Sequence, residues 1–291
     1  MKILITGKNG QVGRCLVDLL EAQTGLTFLA LDREELDITD SIQVDKIVTE
    51  FQPNIIINAA AYTAVDKAEQ ESELAFAINR YGPQNLAYAA NKINAAILHI
   101  STDYVFDGNS AESYTESDVT APQGEYGRSK LAGEHAVAQA CPKHIILRTA
   151  WVFGERGNNF VKTMLRLAKT RESLGVVGDQ FGGPTYAGDI AKAILTISKQ
   201  VVRESKAYGI YHFSGFPHVS WYIFAKKIFE IALEQDLHVQ PIQVNPITTL
   251  DYPTPAKRPA NSRLNCDKIH NAFGIEQSDW QAALVRIKEY S

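Results

Sequence analysis

The chain has 291 residues, of which 45% are hydrophobic and 21% charged, with a formal net charge of −4; this length is ample for a sizeable core. Its scattered lysines and arginines argue against a nucleic-acid-binding face, and no apolar run approaches the roughly 20 residues of a membrane span. The apolar N-terminal run is too short for a secretory signal, and three isolated cysteines predict neither a disulfide framework nor a metal site, so we expect a protein of the reducing cytoplasm.

The N-terminal segment is predicted to form a strand, a glycine-rich loop and a helix. Lys2 to Thr6 is a short apolar run that predicts a strand. After the glycine loop, apolar residues recur at helical spacing, and we predict a helix from Arg14 to Ala22. The loop has the pattern G-x-x-G-x-x-G, formed by Gly7, Gly10 and Gly13. Glycines in this context permit a close backbone approach, and the helix N-terminus presents free amides to a pyrophosphate. Three glycines can also form only a turn, but their context favours dinucleotide binding.

A carboxylate follows the second predicted strand, Thr27 to Leu31. It belongs to Asp32, 19 positions past Gly13, close to the spacing at which an acidic residue meets the adenosine ribose. Asp32 favours a free ribose hydroxyl, as in NADH, whereas the neighbouring Arg33 would attract the 2′-phosphate of NADPH. Arg33 is equally compatible with a solvated surface charge. The sequence therefore leaves the choice between NADH and NADPH open.

Strands and helices continue to alternate after Arg33. The segment from Ala59 to Ala64 consists mostly of small residues, which either let a flat ring lie against the backbone or simply pack closely. A long alanine-rich helical region follows, and we predict that it breaks near Gly82-Pro83. Asp40 or Ser41 can cap the first of these helices. The predicted ranges are a helix from Ile42 to Phe51, a strand from Ile55 to Asn58 and a strand from Ala95 to Ile100.

Two hydroxyls and a carboxylate follow the strand that is predicted to end at Ile100. They belong to Ser101, Thr102 and Asp103. Ligands of open parallel sheets bind at the carboxyl ends of the strands. A hydroxyl there can hydrogen-bond a carbonyl oxygen and stabilise the charge that develops on it. The same residue types also cap loops, so position alone favours neither interpretation.

Tyr126 and Lys130 lie four residues apart in a helix predicted from Tyr126 to Ala140. Both side chains would leave the same helix face, about one turn apart. An ammonium about 4 Å from a phenol favours the phenolate by about 4 kcal/mol at an effective dielectric constant of about 20. We predict that Lys130 brings the pKa of Tyr126 close to neutrality, where general acid–base catalysis is efficient. Taken alone, this pattern more often marks two surface residues.

Trp151 follows the next predicted strand, His144 to Leu147, and a Trp at such a position is more often a core residue than a ligand contact. After Gly154 the elements become shorter. The predicted ranges are helices at 158–169, 189–199 and 221–233, strands at 174–177 and 208–213, and two short C-terminal helices. The chain is thus predicted to be an α/β protein: residues 1–154 form a doubly wound parallel sheet that binds a dinucleotide, and residues 155–291 form mainly a smaller α/β substrate-binding region with segments that return to the core sheet.

A proline-rich segment, Tyr252 to Pro259, carries two cations and is followed by a further arginine. It could close over a phosphorylated substrate, with Arg258 or Arg263 paired to the phosphate. The alternative is a polyproline linker with solvated charges.

Several of these motifs together resemble the extended short-chain dehydrogenase/reductase superfamily, and most fully its dTDP-4-dehydrorhamnose reductase family. The more specific motifs are Thr102 to Phe106, Arg148 to Val152 and the proline-rich tail from Tyr252 to Leu264, and Gly157 to Phe160 and Asp179 to Thr185 also match the family. The resemblance covers nearly the whole chain. It implies that NADPH or NADH reduces the C4 ketone of a dTDP-4-keto sugar to dTDP-L-rhamnose, and it is compatible with a homodimer.

The resemblance also implies residue roles. Tyr126 would protonate the forming alkoxide, Lys130 would hold the nicotinamide ribose, and Thr102 would hydrogen-bond the carbonyl. The sugar would contact Asp103 and Trp151, and the C-terminal region with Arg258 would hold the thymidine diphosphate. The cofactor would be lined by Gly7, Gly10, Gln11, Val12, Gly13, Asp32, Arg33, Asp37, Ile38, Ala61, Tyr62, Thr63, Tyr126 and Lys130.

Two departures and two rival functions accompany the resemblance. Gly124-Glu125 replaces a pair that commonly begins with Asn in relatives, and we expect Glu125 to point to solvent. Cys15 stands where some relatives carry a glutamate associated with a metal-linked dimer, so no metal is predicted. One rival is the non-enzymatic regulatory subunit of methionine adenosyltransferase, which the intact set Thr102, Tyr126 and Lys130 disfavours. The other is another nucleotide-sugar reductase, epimerase or dehydratase; a dehydratase would place an acidic pair after Thr102.

Overall fold

A computed structural model describes residues 1–203, 206–237 and 241–290. Its main sheet has six strands, all parallel, in the order β2-β1-β3-β4-β5-β10. The strands in chain order are β1 Lys2–Thr6, β2 Thr27–Leu31, β3 Ile55–Asn58, β4 Ala96–Thr102, β5 His144–Thr149, β6 Val152–Phe153, β7 Ser173–Val177, β8 Phe181–Gly182, β9 Thr185–Tyr186, β10 Gly209–His212, β11 Gly215–Phe216, β12 Val219–Ser220, β13 Gln243–Ile247, β14 Asn261–Ser262 and β15 Ser278–Asp279. The predicted α/β class with a parallel sheet is confirmed.

Helices cover both faces of this sheet. They are α1 Gln11–Glu21, α2 Ser41–Phe51, α3 Val65–Ala68, α4 Ser72–Phe76, α5 Gly82–Lys92, α6 Glu125–Ala140, α7 Phe160–Ala168, α8 Ala187–Arg203, α9 Trp221–Glu234, α10 Asp267–Phe273 and α11 Trp280–Leu284. Among the described residues, no helix is long and apolar enough to cross a membrane.

The continuous apolar runs of the strands are explained by burial on both faces. Successive strand residues point to opposite sides. Ile3 and Ile5 therefore pack against α1 and α8 on one face, while Leu4 packs against α2 and α5 on the other. A separate hydrophobic cluster joins α7, α9 and α11 around Phe224 and Trp280. The predicted division of the chain at residue 154 stays a prediction.

The helical region after β3 does not break at Gly82-Pro83, as the sequence predicted. The chain is helical from Ser72 to Lys92, and a five-residue π-helical turn, Ala77–Tyr81, joins α4 to α5. Pro83 lies in the first turn of α5, where a missing backbone N–H is tolerated.

β4 and β5 extend further than predicted, to Thr102 and Thr149, whereas β10 is shorter than the predicted strand at 208–213. β4 extends through Ser101 to Thr102 because Thr102 pairs with Thr149 at the end of β5. β10 pairs with β5, so the segment from Gly209 to His212 completes the main sheet. Chain order reverses direction between β1 and β3, and ligands of open α/β sheets bind at such a switch point.

Candidate active site

The sheet edge brings Thr102, Tyr126 and Lys130 together. A 3₁₀ turn, Asp103–Val105, follows β4, and α6 begins directly against it. Contact is close because Gly127 has no side chain: a Cβ there would lie 2.3 Å from the carbonyl oxygen of Tyr104. The Thr102 hydroxyl hydrogen-bonds the Tyr126 phenol, and the Tyr104 ring packs edge-on to the Tyr126 ring with centroids 5.4 Å apart.

Lys130 is fully buried on the same helix. Its Nζ donates a 2.7 Å hydrogen bond to the carbonyl oxygen of Ile100 on β4. Burial lowers the pKa of Lys130 to about 8, and the carboxylate of Glu134, one turn along α6, opposes that decrease. The ammonium is therefore held beside the end of β4 and titrates within an accessible pH range.

The prediction that Lys130 brings the pKa of Tyr126 close to neutrality is wrong in this structure. Burial raises the pKa of Tyr126 above its ordinary value, and the charge of Asp103 raises it further, while the hydrogen bond to Thr102 only partly offsets them. Lys130 points to Ile100 instead of pairing with the phenol. Tyr126 consequently keeps its proton at neutral pH, which is the form that a general acid requires.

Asp103 is a buried carboxyl group beside this pair. The Thr102 hydroxyl donates a 3.0 Å hydrogen bond to its Oδ1. Burial raises the pKa of Asp103 to about 6, although hydrogen bonds from Ser262 and Thr102 act in the opposite direction. The polar residues at the end of β4 thus do more than cap a loop. Thr102 places a hydroxyl beside Tyr126, and Asp103 places a carboxyl group there.

A cleft of about 680 Å³ opens at the switch point of the sheet. Gly7 adopts φ +78°, and a Cβ on it would lie 2.6 Å from the Ala60 nitrogen, so only glycine lets these two loops meet. α1 begins here with no acidic residue in its first turn, which suits an anionic pyrophosphate. Of the predicted cofactor residues, the cleft is lined by Gly7, Gly10, Asp32, Arg33, Asp37, Ile38, Ala61, Tyr62 and Thr63.

Gln11, Val12 and Gly13 do not line this cleft. The Val12 side chain lies in the core, and a Cβ on Gly13 would lie 2.1 Å from the Gly7 carbonyl oxygen. The Gln11 side chain accepts a hydrogen bond from Asn159, 3.1 Å away. Because these residues form the first turn of α1, their backbone N–H groups are what a phosphate could use.

Asp32 lines the cleft and has two cationic neighbours, Lys8 and Arg33. Its carboxylate accepts hydrogen bonds from Asn9 and from the backbone N–H groups of Glu34 and Glu35. Lys8 lies 3.8 Å away. These contacts hold the pKa of Asp32 below its ordinary value despite some burial, so the carboxylate is charged and preorganised. Arg33 is exposed, and its presence beside Asp32 keeps both cofactors compatible with the site.

Asn79 is a site residue that the sequence analysis missed. It is buried in the π-helical turn and exchanges two hydrogen bonds with the backbone of Tyr62, at 2.8 and 3.0 Å. Its amide also donates to the Ser129 hydroxyl, which in turn donates to the carbonyl of Tyr126. Asn79 thereby ties the wall of the 680 Å³ cleft to α6. The π-helical turn is typical of functional sites, but no sequence pattern predicted it.

A second cleft, of about 420 Å³, lies on the C-terminal side of Tyr104. Trp151 lines it and stacks on Trp221, with ring centroids 3.5 Å apart. Trp151 has φ +49°, a strained conformation for a bulky residue. Its ring lines the cleft and also packs against the hydrophobic cluster that contains Val105 and Phe106. Apolar side chains from α7 and β7 form the opposite wall, and Gln180, Thr254 and Arg258 add polar groups. The cleft therefore suits a ligand with flat and polar parts.

The two arginines of the C-terminal segment differ in their surroundings. Arg258 lines the second cleft, donates to the Tyr104 hydroxyl at 3.0 Å and forms an ion pair with Asp66 at 2.6 Å. Arg263 instead donates to Asn261 and to the carbonyl of Ala111 and does not line the cleft. The proline-rich segment is thus packed against the N-terminal half and is not a solvated linker.

The expectation for Glu125 also has an outcome. The Glu125 carboxylate does not point freely to solvent: it accepts hydrogen bonds from Ser72 and Arg128, because α4 packs against the start of α6. Among the described residues, no group of three or more His, Cys, Asp or Glu side chains is placed to hold a metal ion. Burial raises the pKa of the Cys15 thiol to about 11.

Comparison with known proteins accounts for this arrangement. The family model "RmlD substrate binding domain" matches residues 1–290. A curated dTDP-4-dehydrorhamnose reductase from Aggregatibacter actinomycetemcomitans is 55% identical over 291 residues, covering 100% of this chain and 99% of that protein. The corresponding enzyme of Escherichia coli K12 is 43% identical over 291 residues, covering 99% of this chain and 97% of its own length.

Solved structures agree. A dTDP-4-dehydrorhamnose reductase from Bacillus anthracis, in complex with NADP, superposes with a TM-score of 0.90 at 40% identity, covering 100% of this chain and 99% of that one. One from Clostridium acetobutylicum superposes with a TM-score of 0.92 at 43% identity, covering 98% of each chain. The chain therefore belongs to the dTDP-4-dehydrorhamnose reductase family.

Proposed function

We propose that this chain is an NAD(P)H-dependent reductase that converts the C4 ketone of dTDP-4-dehydro-6-deoxy-L-mannose to the alcohol of dTDP-L-rhamnose. The observation that carries the proposal is the convergence of Thr102, Tyr126 and Lys130 at one sheet edge. This group contacts the wall of one cleft through Tyr104, and α6 is tied to the wall of the other through Asn79 and Tyr62. One cleft suits a dinucleotide, and the other has the aromatic and polar walls that a nucleotide sugar requires.

The chain's own groups divide the work. Tyr126 donates its phenolic proton to the oxygen of the reduced ketone, and its raised pKa keeps that proton available at neutral pH. The Thr102 hydroxyl, which donates to Asp103 in this structure, would turn to donate its hydrogen bond to the ketone oxygen when the sugar binds. Lys130 lies on the same helix face, and its ammonium, which donates to the carbonyl of Ile100 in this structure, would turn toward the phenolate that forms after proton transfer.

NADPH or NADH, when bound, supplies the hydride for C4. Gly7, Gly10 and the first N–H groups of α1 would hold its pyrophosphate, while Asp32 and Arg33 would face the adenosine ribose. Ala61, Tyr62 and Thr63, together with Lys130, would hold the nicotinamide end. These residues fit a dinucleotide because the cleft combines a close backbone approach, a helix N-terminus and a charged carboxylate at its mouth.

The sugar nucleotide would occupy the second cleft. Trp151 and Asp103 would contact the sugar, and Arg258 would face the diphosphate. Binding energy from the distant nucleotide would fix the ketone against Tyr126, which is how remote contacts contribute to rate. We propose in addition that the protein is cytoplasmic and forms a homodimer, as considered from the sequence.

The decisive measurement is cofactor oxidation in the presence of the dTDP-4-keto sugar, generated together with its 3,5-epimerase, with NADPH and NADH offered in parallel. Stoichiometric oxidation with dTDP-L-rhamnose as product is the expected result. A folded protein that binds cofactor but oxidises none would favour the regulatory-subunit function. Turnover without net oxidation would favour an epimerase.

Tyr126→Phe tests the assigned acid. Turnover should fall by at least about 10²-fold, since a positioned acid commonly contributes that much, while NADPH affinity stays nearly unchanged. Tyr88→Phe, the same change at an exposed tyrosine, serves as the matched control and should keep native turnover. Equal turnover in both variants would remove Tyr126 from the mechanism.

A further inference from the structure

A buried carboxylate that the proposed reaction does not use lies one helical turn beyond Lys130. The side chain of Glu134 is 1% exposed. Three donors from two strands hold it: the Ser101 hydroxyl at 2.5 Å and the Nε and Nη2 of Arg148 at 2.9 and 2.7 Å. Ser101 precedes Thr102 at the end of β4, and Arg148 lies near the end of β5. A single carboxylate thus joins α6 to both strand ends of the site.

Arg148 is equally enclosed, with its side chain 2% exposed. Its guanidinium lies 5.0 Å above the Phe106 ring and 3.5 Å from the Nε2 of His212. Replacing a buried ion pair by apolar residues is often neutral or even stabilising. Stability alone is therefore a weak reason for two buried charges here, and their position beneath Lys130 points to another role.

The groups that surround Lys130 leave Glu134 as the source of negative charge. On α6, Tyr126 is neutral because its pKa is raised. On β4, burial and the Lys130 charge hold the pKa of His99 well below its ordinary value, so His99 is neutral as well. Arg148 contacts Glu134, and Glu134 is the charged group that acts on Lys130. Asp103 acts on Tyr126 from the turn after β4.

We propose that Glu134 is a positioning residue for the reaction, one that keeps the buried Lys130 charged and directed at the end of β4, and that Arg148 and Ser101 set the strength of this effect. The proposal rests on the function proposed above, in which Lys130 must be a cation. The positive charge of Arg148 partly offsets the negative charge of Glu134 that Lys130 experiences. The hydrogen bond from Ser101 fixes the distance between the carboxylate and β4, the strand that carries Thr102.

The test is a direct titration of Lys130 in protein labelled with [¹³Cε]lysine, in which Lys130→Met identifies the signal. Glu134→Gln should lower the midpoint by at least about one pH unit, the size expected for loss of a nearby opposite charge. Arg148→Met should raise it, because Glu134 then acts on Lys130 alone. Two variants of one ion pair that shift the midpoint in opposite directions cannot be explained by general loosening of the fold.

Three controls keep the test decisive. Glu230→Gln makes the same change in the exposed Lys227–Glu230 pair and should leave the Lys130 midpoint unchanged. The double variant Glu134→Gln/Arg148→Met removes both buried charges, so it should fold where a single variant fails, and its midpoint should lie between native and Glu134→Gln. Midpoints that agree with the native one within about 0.3 pH unit in every variant would overturn the proposal.

Activity provides the second readout. The fall of kcat/KM at high pH should move with the Lys130 midpoint in each variant. If the native protein binds NADPH but reduces no dTDP-4-keto sugar, the proposed function fails, while the titration still decides whether Glu134 controls Lys130. If the sugar is reduced and the midpoints do not move, only the role of Glu134 is wrong.

Discussion

The Asp103 carboxyl group carries an energetic cost within the site. Burial raises its pKa from 3.8 to about 6, so the folded protein binds this proton more tightly than the unfolded chain does. For this group the stability of the fold falls as the pH rises from about 4 to about 6 and is constant above that range. Each pH unit between the two pKa values is worth about 1.36 kcal/mol.

The free energy of unfolding of Asp103→Asn, relative to that of the native protein, should therefore increase as the pH rises. Relative to the native protein, the variant should gain about 2 kcal/mol of unfolding free energy between pH 4.5 and pH 7.5, since it has no carboxyl group to ionise. Urea unfolding of both proteins at the two pH values measures this. The exposed Asp279→Asn is the control. A difference between native protein and Asp103→Asn that does not depend on pH would show that the carboxyl is not destabilised by burial.

At the scale of single residues, the sequence predicted which groups meet but not how their environment acts. The spacing of Tyr126 and Lys130 correctly placed them on one helix. It carried no information on burial, which is set by distant parts of the chain and which reverses the expected change in the pKa of Tyr126. Likewise, the partner of Arg258 is Asp66, 192 positions away, and no local pattern identifies it.

At the scale of elements, α6 depends on a close crossing with the π-helical turn. A Cβ on Gly133 would lie 2.0 Å from the backbone carbonyl oxygen of Asn79. Gly→Ala in a helix interior ordinarily stabilises by about 1 kcal/mol. Here the sign should reverse, and Gly133→Ala should destabilise by about 1–3 kcal/mol, because the backbone of the turn must move.

The midpoint of urea unfolding measures this effect, and turnover should fall with it because Asn79 connects Tyr62 to α6. Ala138→Gly, at an exposed position of the same helix, gives the reference for helix propensity alone and should cost about 1 kcal/mol. A stabilised Gly133→Ala protein would mean that the crossing is not a constraint.

Strands and helices were predicted well where a local hydrophobic pattern determines them, and poorly where contacts between residues distant in sequence determine them. β1, β2 and β3 were predicted residue for residue. β1 and β3 are continuous apolar runs because they are buried on both faces, whereas β2 is an edge strand that is mostly half-buried. The helix break expected at Gly82-Pro83 was wrong, since Asn79 is held by Tyr62 and Ser129 and so keeps the chain helical through a π-helical turn. Thr102 belongs to β4 only through its pairing with Thr149.

At the scale of the whole molecule, the C-terminal segment folds back onto the N-terminal half. The backbone N–H of Ala256 donates to Asp66 at 3.2 Å, and Asn261 donates to the carbonyl of Gly108 at 3.0 Å. A Cβ on Gly108 would lie 2.5 Å from Pro259, so the two segments are in close contact. The wall of the second cleft therefore combines Tyr104 with residues of the C-terminal segment, and its closure depends on the contacts that hold this segment against the N-terminal half.

Arg258 is the main charged link in that closure, since it contacts both Asp66 and Tyr104 at the cleft. Arg258→Ala should raise the KM for the dTDP sugar by about tenfold or more, the loss expected for a charged hydrogen-bonding group, and leave NADPH affinity unchanged. Amide hydrogen exchange at Ala256 should quicken as well, because the segment loses its anchor. Lys257→Ala removes the neighbouring exposed cation and is the matched control. If both variants raise KM equally, the effect comes from net charge and not from the link; if exchange at Ala256 stays native in Arg258→Ala, the segment is held by its other contacts.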